Sequence, residues 1–228
     1  MIIDTHCHYD MMESPEDYIN KVENTGNIVI GMTNLPSHFD MGYEYIRKYK
    51  KVRLALGFHP QLADEHKDEL SLFAKYLGRT SYVGEIGLDF SSEYISTRDI
   101  QISCLKHILE ELQGKNKIIS LHSRRAEKEL FSLLLDYNIK NAIFHWYSGP
   151  LSLIPEIISQ GYYFSINEAM TLSTSGKKII EKIPKDRILT ESDAPFNHKN
   201  DIASALRNLG LEENQIEKNF RLLMQRIR

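Results

Sequence analysis

The chain lacks the marks of a membrane, secreted or fibrous protein. No apolar run approaches the roughly 18–20 residues needed to span a bilayer. The N-terminus has no basic stretch followed by an apolar one, which argues against a secretory leader. Cysteine occurs only at Cys7 and Cys104, far apart in sequence. That excludes a disulfide scaffold and points to a reduced, cytoplasmic chain. Excess positive charge is missing too. The net charge is −3, so the surface as a whole has no pull on nucleic acid, and such a substrate would need a local positive site. There is no low-complexity stretch, no Pro/Gly/Ser-rich linker and no fixed-period repeat. No glycine-rich turn follows the first apolar run, so nothing there cradles a dinucleotide. What remains is 228 residues, 42% hydrophobic and 26% charged. That composition fits one sizeable core, and residues 1–228 are expected to form a single domain.

What is present is alternation. Short β-rich runs fall at Met1–Asp4, Asn27–Met32, Val52–Gly57, Tyr82–Gly84, Lys117–Leu121, Asn141–His145, Tyr162–Ser165 and Arg187–Thr190. Between them the spacing predicts helices over Pro15–Asn24, Phe39–Tyr49, Ala63–Leu77, Arg98–Leu112, Arg125–Tyr137, Ser152–Gln160 and Ser175–Ile183. Two more close the chain, near Ile202–Asn208 and over Glu212–Arg228. Ser14 is the expected N-cap of the first helix, with Pro15 at its first position. Eight strand–helix alternations predict an α/β fold, a (β/α)8 TIM barrel, with a doubly wound open sheet as the alternative.

The chemistry sits at the strand ends. The first strand runs into His6-Cys7-His8, and alternation puts both imidazoles on one face and Cys7 on the other, in the packing. Glu85, His122, His145 and Asp193 each follow another apolar run. These six fall at the C-terminal ends of strands one, four, five, six and eight, the face where barrels build active sites. Four imidazoles and two carboxylates suit zinc, manganese, iron or a related divalent ion. Six donors are too many for one tetrahedral site that keeps a position open. They suit two ions, with Glu85 as the bridge, His6, His8 and Asp193 on one side and His122 and His145 on the other. Four positive charges against two carboxylates and a hydroxide leave a net positive site that welcomes a phosphodiester. Two ions about 3.5–4 Å apart can activate water and steady both attacking and leaving oxygens.

These segments resemble the TatD family of metal-dependent deoxyribonucleases over essentially the whole chain. The motifs are Asp4-Thr-His6-Cys-His8, Gly57-Phe-His59-Pro60, Gly84-Glu85-Ile-Gly-Leu-Asp89, His122-Ser-Arg124, His145-Trp-Tyr-Ser-Gly149 and Glu191-Ser-Asp193-Ala-Pro195. The resemblance implies a TIM barrel, two divalent ions (Zn, Mn or Mg) and hydrolysis of DNA, often from the 3′ end. Gly57–Leu62, His122–Ala126, His145–Gly149 and Phe164–Met170 further resemble the QatD nucleases of the Qat phage-defence operons, which implies defence-protein partners. The chain departs from the family after Pro195, where only Phe196–Asn200 stands in place of a longer loop. The segment after Asp89 is short and polar, and Gln101 lies near a glutamine of the family.

Around the six donors, His59 is expected to contact the scissile phosphate or the attacking water. Glu191 shares a strand face with Asp193 and either orients water or a ligand or supports the fold. Asp89 either backs a histidine ligand or caps a loop. Arg124 suits phosphate, Arg125 less so. Trp146 and Tyr147 either stack on a base or pack the rim. Asp4 reads as a buried orienting group, and His198 lies in the shortened loop. The expected activity is in-line attack of an activated water on a DNA phosphodiester, with Asp193, His59 and Glu191 as catalytic residues and Arg124, His59 and Trp146 on the substrate. Short or single-stranded DNA fits the acidic net charge, and no membrane partner is expected. Another binuclear hydrolase (a deaminase, amidase or lactonase) and a non-catalytic subunit of a complex are the alternatives.

Overall fold

Every strand pairing in the computed structural model, which describes residues 1–196 and 201–227, is parallel. Strands β1 (Ile3–Cys7), β2 (Ile28–Gly31) and β3 (Val52–Leu54) form one ladder. A second runs through β4 (Leu56–Phe58), β5 (Tyr82–Gly87), β6 (Ile118–His122), β7 (Ala142–His145), β8 (Tyr163–Ile166) and β9 (Ile188–Thr190). Strands β3 and β4 are one strand bent at Ala55, so eight strand positions remain. The ends also meet. Thr5 Oγ1 donates to Thr190 O at 3.0 Å, Asp193 N to His6 O at 3.0 Å and His8 N to Ala194 O at 2.7 Å. The result is the expected barrel, closed between its first and last strands.

The bend has a cause. Thr33, just past β2, reaches over the third strand to β5: Thr33 N donates to Gly84 O and Glu85 N to Thr33 O, both at 3.2 Å. This crossing needs a residue without a side chain beneath it. A Cβ on Gly57 would lie 1.5 Å from Thr33 O. The same crossing pins the backbone of Glu85.

Strand burial is nearly complete on both faces, which explains runs such as Ile118–His122 and Ala142–His145 that do not alternate in polarity. Aromatic rings of Phe144, Phe164, Tyr147 and Tyr162 pack against one another beside β7 and β8. Helices occur where the apolar stripe is continuous, as at Arg98–Leu112, where Leu105, Ile108, Leu109 and Leu112 are buried.

Several expected boundaries move. The first strand extends through Cys7, and the second helix runs Pro36–Ile46 rather than 39–49. Ser14 precedes the first helix (Pro15–Thr25) but its side chain makes no capping bond. The expected helix over 63–77 breaks into Ala63–His66, a 3₁₀ turn at Lys67–Glu69, and Leu70–Tyr76. Six residues from Asp64 to Glu69 offer no apolar side chain to bury, and Glu69 turns to Ser37 N and Oγ instead, at 2.8 and 2.9 Å. Arg125 lies outside the sixth-strand helix, which runs Glu127–Asp136. Helix Glu168–Leu172 has no counterpart among the expected elements; Asn167 caps it by accepting from Met170 N at 3.0 Å. No helix among the described residues is long and apolar enough to cross a membrane. His198 and most of the shortened 196–200 loop fall outside the described residues.

Candidate metal centre

Strand β1 delivers two imidazoles to one point. His6 and His8 bring their Nε2 atoms to 3.2 Å of each other, as alternation predicts, and Cys7 turns the other way into the packing. Asp4 fixes this strand end. Its carboxylate accepts from His6 N at 3.2 Å, Ser192 N at 3.0 Å and Ser192 Oγ at 2.6 Å, tying β1 to the segment that carries Asp193. His6 Nδ1 lies 2.8 Å from Ser120 Oγ, which leaves Nε2 facing inward.

Glu85 is the hub, and its two oxygens face different groups. Oε2 lies 3.5, 3.2 and 3.4 Å from the Nε2 atoms of His6, His8 and His59. Oε1 lies 2.6 Å from His122 Nδ1 and 3.2 Å from His145 Nε2. Asp193 Oδ1 completes the first group, 3.7 Å from His6 Nε2 and 4.0 Å from His8 Nε2. Donors about 2.0–2.1 Å from a tetrahedral divalent ion sit roughly 3.3–3.4 Å apart. The His6, His8, Glu85 and Asp193 spacings bracket that value, and the mixed N/O donors have the right chemistry. His59, Glu85 and His122 form a second candidate group, and His6, Glu85 and His145 a third.

Behind the inward-facing atoms stands a shell of buried polar groups. Asp89 Oδ2 lies 2.9 Å from His122 Nε2 and accepts from Gln61 Nε2 at 2.8 Å. Gln101 grips the backbone of Asp89, accepting from its N at 2.8 Å and donating to its O at 2.9 Å. Glu191 Oε2 lies 3.2 Å from His145 Nδ1, and this carboxylate also accepts from Ser165 Oγ and, at 2.9 Å, from Asn167 Nδ2. Sequence reasoning missed Gln61, Ser120, Ser165, Asn167 and Ser192 in this role. A signal existed for each: Ser120 lies two residues before His122 on one strand, and Gln61, Ser165, Asn167 and Ser192 lie inside the quoted motifs Gly57–Leu62, Phe164–Met170 and Glu191–Pro195.

The charges interlock. Burial opposes ionisation of Glu85, but His59, His145, His122 and His6 hold its carboxyl well below the usual range. Burial lowers His122, yet Glu85 and Asp89 lift it to about 9. Burial lowers His145, and Glu191 and Glu85 override it, raising it well above the ordinary value. His6 is pushed well below, by burial and by His145. Burial carries Asp193 up to about 7. Without a metal, protonated imidazoles supply the positive charge this carboxylate hub demands.

Over the His122, His145 and Asp193 side opens a cavity of about 460 Å³, also lined by Ser123, Arg124, Trp146 and Ser148. Arg124 is exposed at its rim and Trp146 is half-buried. Arg125, Trp146 and Asp193 have φ of 57°, 40° and 51°, so three loops leave their strands through strained backbone beside the site. Tyr147 does not line this cavity. It is 1% exposed and its hydroxyl donates to Pro150 O at 2.8 Å, so it is core packing and not a stacking platform.

Comparison with known proteins agrees with this geometry. The family model described as TatD related DNase matches residues 3–225. A protein of Buchnera aphidicola named as an uncharacterized metal-dependent hydrolase is 26% identical over 210 residues, 86% of this chain and 78% of its own length. The human protein named Deoxyribonuclease TATDN3 is 24% identical over 213 residues, 85% of this chain and 78% of its own. Among solved structures, YJJV, a TatD homolog from Escherichia coli, superposes with a TM-score of 0.85 at 21% identity, covering 99% of this chain and 97% of its own. This chain belongs to the TatD family of metal-dependent hydrolases.

Proposed function

We propose that this chain is a DNA phosphodiesterase that works with two divalent ions on single-stranded or short DNA. The observation that carries this reading is the division of Glu85: one oxygen faces His6 and His8, near Asp193, and the other faces His122 and His145. His6, His8 and Asp193 would hold one ion and His122 and His145 the other, with Glu85 between them. Bound there, the ions would supply the Lewis acidity that activates water and neutralises a phosphoryl group.

The protein's own groups do the rest. Asp193 Oδ1, 3.7 Å from His6 Nε2 and 4.0 Å from His8 Nε2, is placed to take the proton of the attacking water. His59 Nδ1 accepts from Gln61 N at 3.3 Å, so Nε2 carries the proton and can donate it to a phosphoryl oxygen over Glu85. Arg124 at the cavity rim matches a phosphate with its planar fork, and Trp146 offers an indole face to a base. Glu191 touches His145 and not the cavity, so it acts by positioning that ring.

The test is cleavage of a short, end-labelled single strand with a panel of divalent metals, with chelator, and with Asp193→Asn. A metal-dependent ladder absent in the variant supports the reading; no cleavage with any metal rejects it. The motifs that resemble QatD favour a role for this activity in cytoplasmic phage defence beside partner proteins. Cells expressing this chain with its proposed partners and cells expressing the Asp193→Asn form should then differ in phage plaque counts, and equal counts would reject that role.

A further inference from the structure

A second cavity, which shares no lining residue with the Arg124 cavity, lies next to the residues that follow His8. It is a cleft of about 600 Å³ between helices Pro15–Thr25 and Pro36–Ile46, with Tyr9, Met11, Asn34, His38, Met41 and Tyr45 among its walls. Its walls are tied to the metal centre through the backbone. Tyr9 and Asp10 directly follow His8, and the Asp10 carboxylate feels the charges of His8 and His38. Thr33, also in its wall, accepts from Glu85 N at 3.2 Å, and Asn34 O accepts from His59 N at 2.7 Å.

Its chemistry is unlike that of the Arg124 side. Among the described residues no lysine or arginine lines it, while Asp10 and Glu16 do, so a phosphate is excluded. The walls are mostly apolar, and Met11 and Met41 are 49% and 75% exposed at its mouth. Within it the Tyr9 hydroxyl and the Asn34 amide oxygen are buried and lack a hydrogen-bond partner among the described residues. Buried polar atoms of that kind are normally satisfied. A neutral, flat group with apolar faces and hydrogen-bonding edges fits, and thioethers pack well on such faces. The volume lies in the range of small-ligand sites.

We propose that this cleft is a nucleobase subsite, taking the base on one side of the scissile phosphate while Trp146 and Arg124 serve the other side. The inference rests on the phosphodiesterase reading above and adds to it where the strand lies.

The test uses the full chain labelled at its seven methionine methyls. It is titrated with a deoxyadenosine dinucleotide joined by a phosphorothioate, and separately with inorganic phosphate. Met11 and Met41 signals should shift with the dinucleotide and stay still with phosphate. Met41 is exposed enough that Met41→Glu will fold. That variant should raise KM for a cleavable dinucleotide about tenfold and leave turnover of methyl p-nitrophenyl phosphate, a diester without a base, unchanged. Saturation by the dinucleotide, seen as a change in Trp146 fluorescence with both methyls unmoved, overturns the subsite and leaves the phosphodiesterase intact. Shifts caused equally by inorganic phosphate overturn it as well. A dinucleotide that neither binds nor is cleaved with any metal removes both readings.

Discussion

The Glu191 carboxylate sits 3.2 Å from Nδ1 of His145, on the opposite edge of the ring from Glu85. A carboxylate so placed fixes the tautomer and makes the inward Nε2 a better donor to a cation. Ser165 and Asn167 in turn hold Glu191, so the ring has no freedom to swing. Glu191→Gln keeps the shape and removes the charge. Metal affinity should fall roughly 10–100-fold, measured by metal titration. Excess metal should restore most of the activity. Unchanged metal affinity would show that the pair only packs.

Gln101 is predicted to matter for stability first and activity second. It is 1% exposed, and it answers both backbone polar groups of Asp89 while donating also to Tyr94 O at 3.1 Å and to Thr97 Oγ1 at 3.0 Å. Gln101→Ala orphans a buried N–H and should cost about 1–3 kcal/mol. At roughly 2–4 °C per kcal/mol for a chain of this size, the melting temperature drops by several degrees. A melt within one degree of the parent would contradict this.

How far the site could be read from sequence follows from this layering. Donors stood out because each follows an apolar run: the six fall in the motifs, and the structure brings the other five, with His59, around Glu85. The supporting groups were less legible. Ser165 and Asn167 lie in the Phe164–Met170 motif, but nothing local marks what they hold, because their partner Glu191 is 26 and 24 positions away. Helix Arg98–Leu112 matched end to end because its apolar stripe, Leu105, Ile108, Leu109 and Leu112 among it, is continuous and buried. The 63–77 segment failed because Glu69 has a better partner in Ser37, 32 residues earlier. Tyr147 could not be told from a rim aromatic until its hydroxyl was seen to face Pro150.

Proton linkage gives the metal-free protein a distinctive pH profile. His122 has a folded value of about 9, above its ordinary 6.5. Its contribution is therefore complete below 6.5 and is lost as pH rises through about 9. Asp4 and Asp193 are raised by burial to about 7, so their share is present below the ordinary carboxyl value and is lost on rising through 7. All three shifts have one sign. Below about 6.5 the buried His6 and His59, whose values are lowered, pull the other way, so with chelator the melting temperature should fall from about pH 7 to pH 9.5. Added divalent metal should flatten or reverse the fall above pH 7, because binding expels the same protons. A chelated protein whose melt is level over that range would refute the linkage.

Gly87 sets how closely the Glu85 strand can approach the His122 strand. Its φ is 147°, and a Cβ there would lie 1.9 Å from the carbonyl oxygen of His122, a backbone atom that cannot swing away. Leu88 N donates to that same oxygen at 2.9 Å, so moving it also breaks a ladder bond next to the centre. Gly87→Ala should cost at least about 3 kcal/mol from strain and overpacking together, and it should lower metal affinity, since Glu85 and His122 can no longer meet at 2.6 Å. Gly114 is the control. It has φ of 70°, but a Cβ added there would meet nothing within 4 Å, so Gly114→Ala carries only the backbone term, about 1 kcal/mol. Thermal melts of the two variants, with and without metal, separate the contributions. Equal losses would mean that backbone conformation, and not the approach of β5 to β6, is what glycine supplies at position 87.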